Sequence, residues 1–238
     1  MSLRQKISYI LKYIIVATSL FGTILGLFTA TLDGYSHWNK RLLYYTTQSN
    51  LWIIVTFLGI IILSFFPNKQ ARLKESFYNC KYIFTVCIAM TFLVFCGFFG
   101  PLADESYRPW SFYSIIVHAI TPILTFIDFY LDEYKYNFRL KHVFSSTIPA
   151  IIYYSIIIGL CAVGLDFGRG EPYPYFFLDL KSNAGLFGFT IEPFANVGTF
   201  WWILFFSIIM IGIAFLFVKT HHIRERKHLK RLYMKKAS

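Results

Sequence analysis

Six long apolar runs, separated by short polar stretches, follow one another along the chain at about 7–31, 43–66, 80–100, 109–131, 143–165 and 194–218. A helix of roughly 20 apolar residues crosses a hydrocarbon core of about 30 Å. Inside that core every backbone N–H and C=O must be satisfied within the protein, which leaves helices or closed barrels. Runs that are apolar on all sides predict helices, so the pattern predicts an all-α, polytopic membrane protein: a six-helix transmembrane domain over 1–218 and a tail over 219–238. The first run far exceeds the roughly 7–15 residues of a signal-peptide core and is expected to be a retained helix.

The polar positions inside the runs carry the candidate chemistry. Span one holds Gly22 and Gly26, a spacing that lets a neighbouring helix approach closely. Span two opens with Tyr44-Tyr45-Thr46-Thr47-Gln48-Ser49-Asn50, in which Thr46, Ser49 and Asn50 share one helical face. Span four carries Ser111, Ser114, His118, Thr121, Thr125 and Asp128 at steps of three or four, a polar stripe on an otherwise apolar helix. Pro122 has no N–H to give the His118 carbonyl and is expected to distort the helix there. Asp128 is read as a carboxylate reaching water at the inner surface, with an ion pair as the alternative. Span three is expected to serve packing alone. In span five, Ser145, Ser146, Thr147 and Pro149 predict helix distortion.

The connection 166–193 is long for a loop in a compact protein, and such loops are often lids or binding elements. Its stretch Glu171-Pro172-Tyr173-Pro174-Tyr175-Phe176-Phe177-Leu178-Asp179 mixes rigid prolines with rings that favour the membrane interface. It is expected to lie on the outer surface and cover the mouth of the bundle.

Composition agrees with the pattern: 56% of residues are hydrophobic and only 15% charged, against about a quarter charged in soluble domains. The net charge of +11 is unevenly spread. Of the 23 Lys and Arg, 18 fall in one set of inter-span segments and 5 in the other. The positive-inside rule then places both termini in the cytoplasm of a cell-membrane protein. The Lys219–Lys236 cluster directly follows a span, which points to anionic lipid headgroups as its partner rather than nucleic acid. Cys80, Cys87, Cys96 and Cys161 show no metal-ligand spacing and read as small core residues.

The sequence has no GxSxG elbow, P-loop, HExxH or pair of intramembrane carboxylates, and no metal or cofactor is expected. Hydroxyl and imidazole remain. A threonine hydroxyl becomes a nucleophile when a base takes its proton, and histidine suits that task near neutral pH. Thr46 is therefore the candidate nucleophile, with Thr47 the adjacent alternative, and His118 the candidate base. Gln48, Ser49 and Asn50 are candidate oxyanion donors; Ser114, Thr121, Tyr173, Tyr175 and Asp179 complete the candidate oxyanion or substrate-binding set. Depths counted along ideal helices leave Thr46 and His118 about 5–7 Å apart along the membrane normal. The same polar cavity could instead bind or transport a small amphiphile without chemistry. No convincing repeat relates the two halves of the chain, as many transporters would show.

Tyr45-Thr46-Thr47-Gln48-Ser49-Asn50, His118-x-x-x-Pro122 followed by Asp128, and Tyr173-Pro174-Tyr175-x-Phe177-Leu178-Asp179, set within six spans, are similar to the bacterial branch of the six-span androgen-induced protein family. That family includes the androgen-dependent TFPI-regulating protein, and its animal members hydrolyse fatty acid esters of hydroxy fatty acids. The resemblance implies a catalytic threonine early in span two and a catalytic histidine in span four, which fall on Thr46 and His118. It also implies a membrane lipid or lipid-like ester as substrate.

Overall fold

The computed structural model describes residues 2–66, 71–101, 110–134, 136–189 and 197–237, with side chains described up to 226. Lys69, Arg108, Pro109, Lys135, Pro193, Asn196 and the side chains of the tail beyond Arg226 therefore lie outside the described residues. Among the described residues, six helices are long and apolar enough to cross a membrane: α1 (Leu3–Phe28), α2 (Tyr45–Ser64), α3 (Ala71–Phe99), α4 (Phe112–Leu131), α5 (Leu140–Ala162) and α6, which starts at Thr199. The protein is an all-helical, multi-pass membrane protein. α6 continues as helix to Ala237, so the backbone of the basic tail extends the last span. α3 begins at Ala71 rather than near residue 80 because polar residues such as Lys74, Glu75 and Ser76 sustain helix outside the apolar run.

α1 packs on α2 and α4, α2 on α3, and α3 on α4 and α6. The start of α1, the end of α4 and the lower part of α6 meet at one end of the bundle, the basal end: Ser2 donates to Glu133 and both Arg4 and Arg224 donate to the Tyr130 carbonyl. Gly22 and Gly26 do allow a close approach. A Cβ on Gly22 would lie 2.7 Å from both Ile116 and Val117 of α4, and one on Gly26 would lie 3.0 Å from Arg41.

Two helices widen by one residue per turn. In α4 the amide of Thr121 bonds the Ile116 carbonyl across a π-helical turn, Ile116–Ile120. The missing N–H of Pro122 and the clash of its ring with the preceding turn account for this. In α3 the turn Phe95–Phe99 does the same and closes with Gly100 N–H on the Phe95 carbonyl at 2.7 Å. α5 breaks between Ser145 and Ile148, where the hydroxyls of Ser146 and Thr147 bond the carbonyls of Val143 and Phe144. That is the distortion its polar start predicts. Of the cysteines, Cys87 and Cys161 are buried and Cys80 half-buried, but Cys96 is exposed on the bundle surface, not in the core.

Asp128 does not reach water. It is fully buried and paired with Lys12 of α1 at 2.9 Å and Lys81 of α3 at 2.5 Å. Both lysines also reach Asp132, at 2.9 and 2.5 Å, and Ser8 donates to Asp128 at 2.7 Å. Burial alone would raise the Asp132 carboxyl, but the two ammonium groups hold it well below the usual carboxylate range. Lys12 and Lys81, counted above among the inter-span charges, are thus interior groups near the basal end. Arg41 is likewise buried, with hydrogen bonds to the Gly26 carbonyl, Asp33 and the Tyr113 hydroxyl.

Candidate active site

The end of the bundle remote from the basal end holds a cavity of about 630 Å³. α2 starts beneath it. The chain reaches α2 through a 3₁₀ turn, Trp38–Leu43, and turns into the helix at Tyr44 without a side-chain cap from that residue. The first-turn amide of Tyr45 instead bonds the Tyr175 hydroxyl, at 3.0 Å. Thr46 sits in this first turn, with its side chain on the cavity wall.

Thr46 Oγ1 lies 3.1 Å from Nε2 of His118. The 5–7 Å separation was counted along ideal helices, whereas a 3₁₀ turn, Trp38–Leu43, leads into α2 and a π-helical turn, Ile116–Ile120, surrounds His118.

The other imidazole nitrogen decides the tautomer. Nδ1 of His118 is 2.9 Å from the Ser114 carbonyl oxygen and 3.1 Å from the Ser114 hydroxyl. A carbonyl can only accept, so Nδ1 carries the proton and Nε2 presents a lone pair to the Thr46 hydroxyl. Ser114 and His118 are four residues apart, a spacing that places them on one face of α4. Phe95, in the matching wide turn of α3, stacks on the imidazole at 4.3 Å with the planes 14° apart. The ring is thus fixed in orientation on two sides.

The Thr46 backbone is fixed as well. Its carbonyl accepts from Ser49 Oγ at 3.0 Å and Asn50 Nδ2 at 2.9 Å. Asn50 also donates to the Val117 carbonyl of α4 and accepts from Ser19 of α1. Ser49 further contacts Thr91 of α3 at 2.9 Å. α2 is therefore joined to α1, α3 and α4 through side chains one turn below the dyad.

Of the residues singled out from sequence, Thr46, Thr47, His118 and Tyr175 line the cavity, and Thr46 rather than Thr47 faces the imidazole. Ser114 serves the far side of His118. The others lie off the cavity. Gln48 donates to the Leu42 carbonyl at 2.6 Å, Ser49 and Asn50 sit in helix interfaces, and Thr121 bonds Thr18. Tyr173 packs against the core, and Asp179 accepts from the Lys181 amide in a local turn. Gln48, Ser49, Asn50 and Asp179 are bonded to nearby backbone groups, Thr121 to the Thr18 hydroxyl, and Tyr173 is held by packing.

Sequence reasoning missed α3. Phe95, Phe98 and Phe99 form much of the cavity wall with Met90 and Val94, and nothing distinguishes them in sequence from lipid-facing phenylalanines. It also missed the polar rim, where the Arg41 guanidinium lies 4.8 Å over Tyr35 and 4.3 Å over Tyr113, and Arg169 lies 4.6 Å over Tyr35. The long connection contributes Arg169 and Pro174–Phe177 to the wall. It is tied down by Lys40 Nζ on the Asp166 carbonyl and Ser36 N–H on the Gly168 carbonyl, both at 2.6 Å. The amides of Gly168 and Gly170 bond the Asp166 carboxylate and hold it below the usual range.

The chain matches no protein-family model, no curated protein and no solved structure. Chemically, the arrangement is a hydroxyl with a correctly protonated base beside it. It stands in a largely apolar cavity whose rim carries cations and phenols.

Proposed function

We propose that the protein is a membrane-embedded hydrolase of lipid-like carboxylic esters that uses Thr46 as nucleophile and His118 as base. The observation that carries this reading is the 3.1 Å contact between Thr46 Oγ1 and the unprotonated Nε2 of His118 on the wall of a cavity large enough for a small amphiphile. The resemblance of the Tyr45–Asn50 and His118–Pro122 stretches to the androgen-induced protein family supports the same activity.

In this mechanism the ester carbonyl lies near Thr46, with an acyl chain along Met90, Val94, Phe98 and Phe99. Thr46 Oγ attacks the carbonyl carbon while Nε2 of His118 takes the hydroxyl proton. The Ser114 carbonyl, bonded to Nδ1–H, fixes the tautomer and orientation of the ring, the part of the triad carboxylate's role that a neutral acceptor can play. Collapse of the tetrahedral adduct breaks the bond to the alcohol oxygen, which receives the proton from Nε2. A water molecule, deprotonated by the same nitrogen, then releases the acid and restores Thr46.

In the same reading the basal end faces the cytoplasm of the cell, the site lies in the outer leaflet and the basic tail rests on anionic headgroups. The experiment is turnover of fluorogenic acyl esters by the purified protein in nanodiscs. Thr46→Ala is expected to remove turnover, by a factor on the order of 10³ or more, with no change in bound ester. Equal rates in the wild type and Thr46→Ala would refute the assignment.

A further inference from the structure

We propose that the Tyr175 hydroxyl donates to the oxyanion that forms when Thr46 attacks an ester, so that the 166–179 strap is part of the catalytic machinery. This rests on the hydrolase reading above and extends it to an element outside the spanning helices.

Oxyanion stabilisation needs a donor that can turn its hydrogen to the new charge and whose position is set before reaction. The Tyr175 oxygen accepts the Tyr45 N–H at 3.0 Å. That bond occupies an oxygen lone pair and leaves the hydroxyl hydrogen to point elsewhere. The bond to the Tyr45 amide sets the hydroxyl one residue from Thr46, and both Tyr175 and Thr46 line the cavity. Of the other sequence candidates, Gln48 donates to the Leu42 carbonyl, and Ser49 and Asn50 donate to the carbonyls of Thr46 and Val117; none of the three lines the cavity.

The ring is held on three sides. It stacks on Phe177 at 5.1 Å with the planes 7° apart, meets the edge of Tyr44 at 5.5 Å, and contacts Phe99 at 5.7 Å. Phe177 and Leu178, which follow it, are buried in the helix core. Burial also raises the phenol well above its ordinary pKa, so the group keeps its proton.

The step balances without a further reagent. The Thr46 Oγ–carbon bond forms, the carbonyl π pair moves onto oxygen, and Tyr175 O–H donates a hydrogen bond to it without losing its proton. The Thr46 proton resides on His118 Nε2 until the alcohol leaves with it.

The test uses full-length protein in nanodiscs with matched oxo- and thiono-ester substrates, since sulfur is a poor hydrogen-bond acceptor. Tyr175→Phe is expected to lower kcat on the oxo-ester by about 10²–10³-fold with KM little changed. The wild-type preference for the oxo-ester should shrink in that variant by a similar order. A loss of rate with the oxo-to-thiono ratio intact would assign Tyr175 a purely structural role and overturn the proposal. So would a Tyr175→Phe rate within about threefold of wild type while Thr46→Ala is inactive; the hydrolase reading would then stand alone. If the wild type turns over neither ester, both fall.

Discussion

His118→Ala is expected to lower ester turnover by a factor on the order of 10³ or more while the protein still folds. Nε2 of His118 is the group in contact with the Thr46 hydroxyl that can accept its proton, and without a base a threonine hydroxyl is a poor nucleophile at neutral pH. Losing the stack on Phe95 should cost only about 0.5–1.5 kcal/mol beyond the lost contact area, so melting in detergent should shift modestly. The double variant with Thr46→Ala should be hardly worse than either single one, because groups that act as a unit are strongly non-additive. Initial rates on a fluorogenic ester check both points. Independent, multiplying losses would contradict a Thr–His unit.

Asp128→Leu is expected to destabilise the fold by about 3–5 kcal/mol, the penalty for breaking a buried ion pair from one side. Lys12 and Lys81 lie close to Asp128 and Asp132 with side-chain exposures of 0–8% across the four. Removing one carboxylate leaves two ammonium groups facing a single acid in a low-dielectric interior. The effect should reach the site through α4, which carries Asp128 and His118 on one stripe, and through α1 and α3. Pairing Asp128→Leu with Lys81→Met removes one charge of each sign and should recover part of the loss, because apolar replacement of a whole pair is often neutral. Thermal unfolding of the wild type, both single variants and the double variant in one detergent gives the coupling directly. A single variant as stable as wild type would show that these charges are solvated.

The six spans were legible because a bilayer imposes length and apolarity on every crossing, and both are properties of single residues. Thr46 and His118 were legible for a related reason: polar groups inside those runs need a partner, and the stripe on α4 shows which way they face. What failed was distance. Counting 1.5 Å per residue treats a helix as ideal, and neither the wide turn at Ile116–Ile120 nor the 3₁₀ turn before Tyr44 is visible in that count. Pro122 signalled a distortion without giving its sense. The ion cluster had a signal that was read as topology: Lys12 and Lys81 stand in or at the edge of apolar runs, and buried cations require nearby acids, for which Asp128 and Asp132 suffice. The wall from α3 carried no signal, since a phenylalanine that stacks on an imidazole is written like one that meets lipid.

The central claim is that Thr46 attacks an ester carbonyl with its proton leaving to His118. The most direct measurement is covalent labelling of the intact protein by an alkyl fluorophosphonate, followed by peptide mass mapping. The account predicts one phosphonylated site, Thr46, with labelling lost in His118→Ala. An adduct on Thr47 or Tyr175, or equal labelling of wild type and His118→Ala, would contradict it.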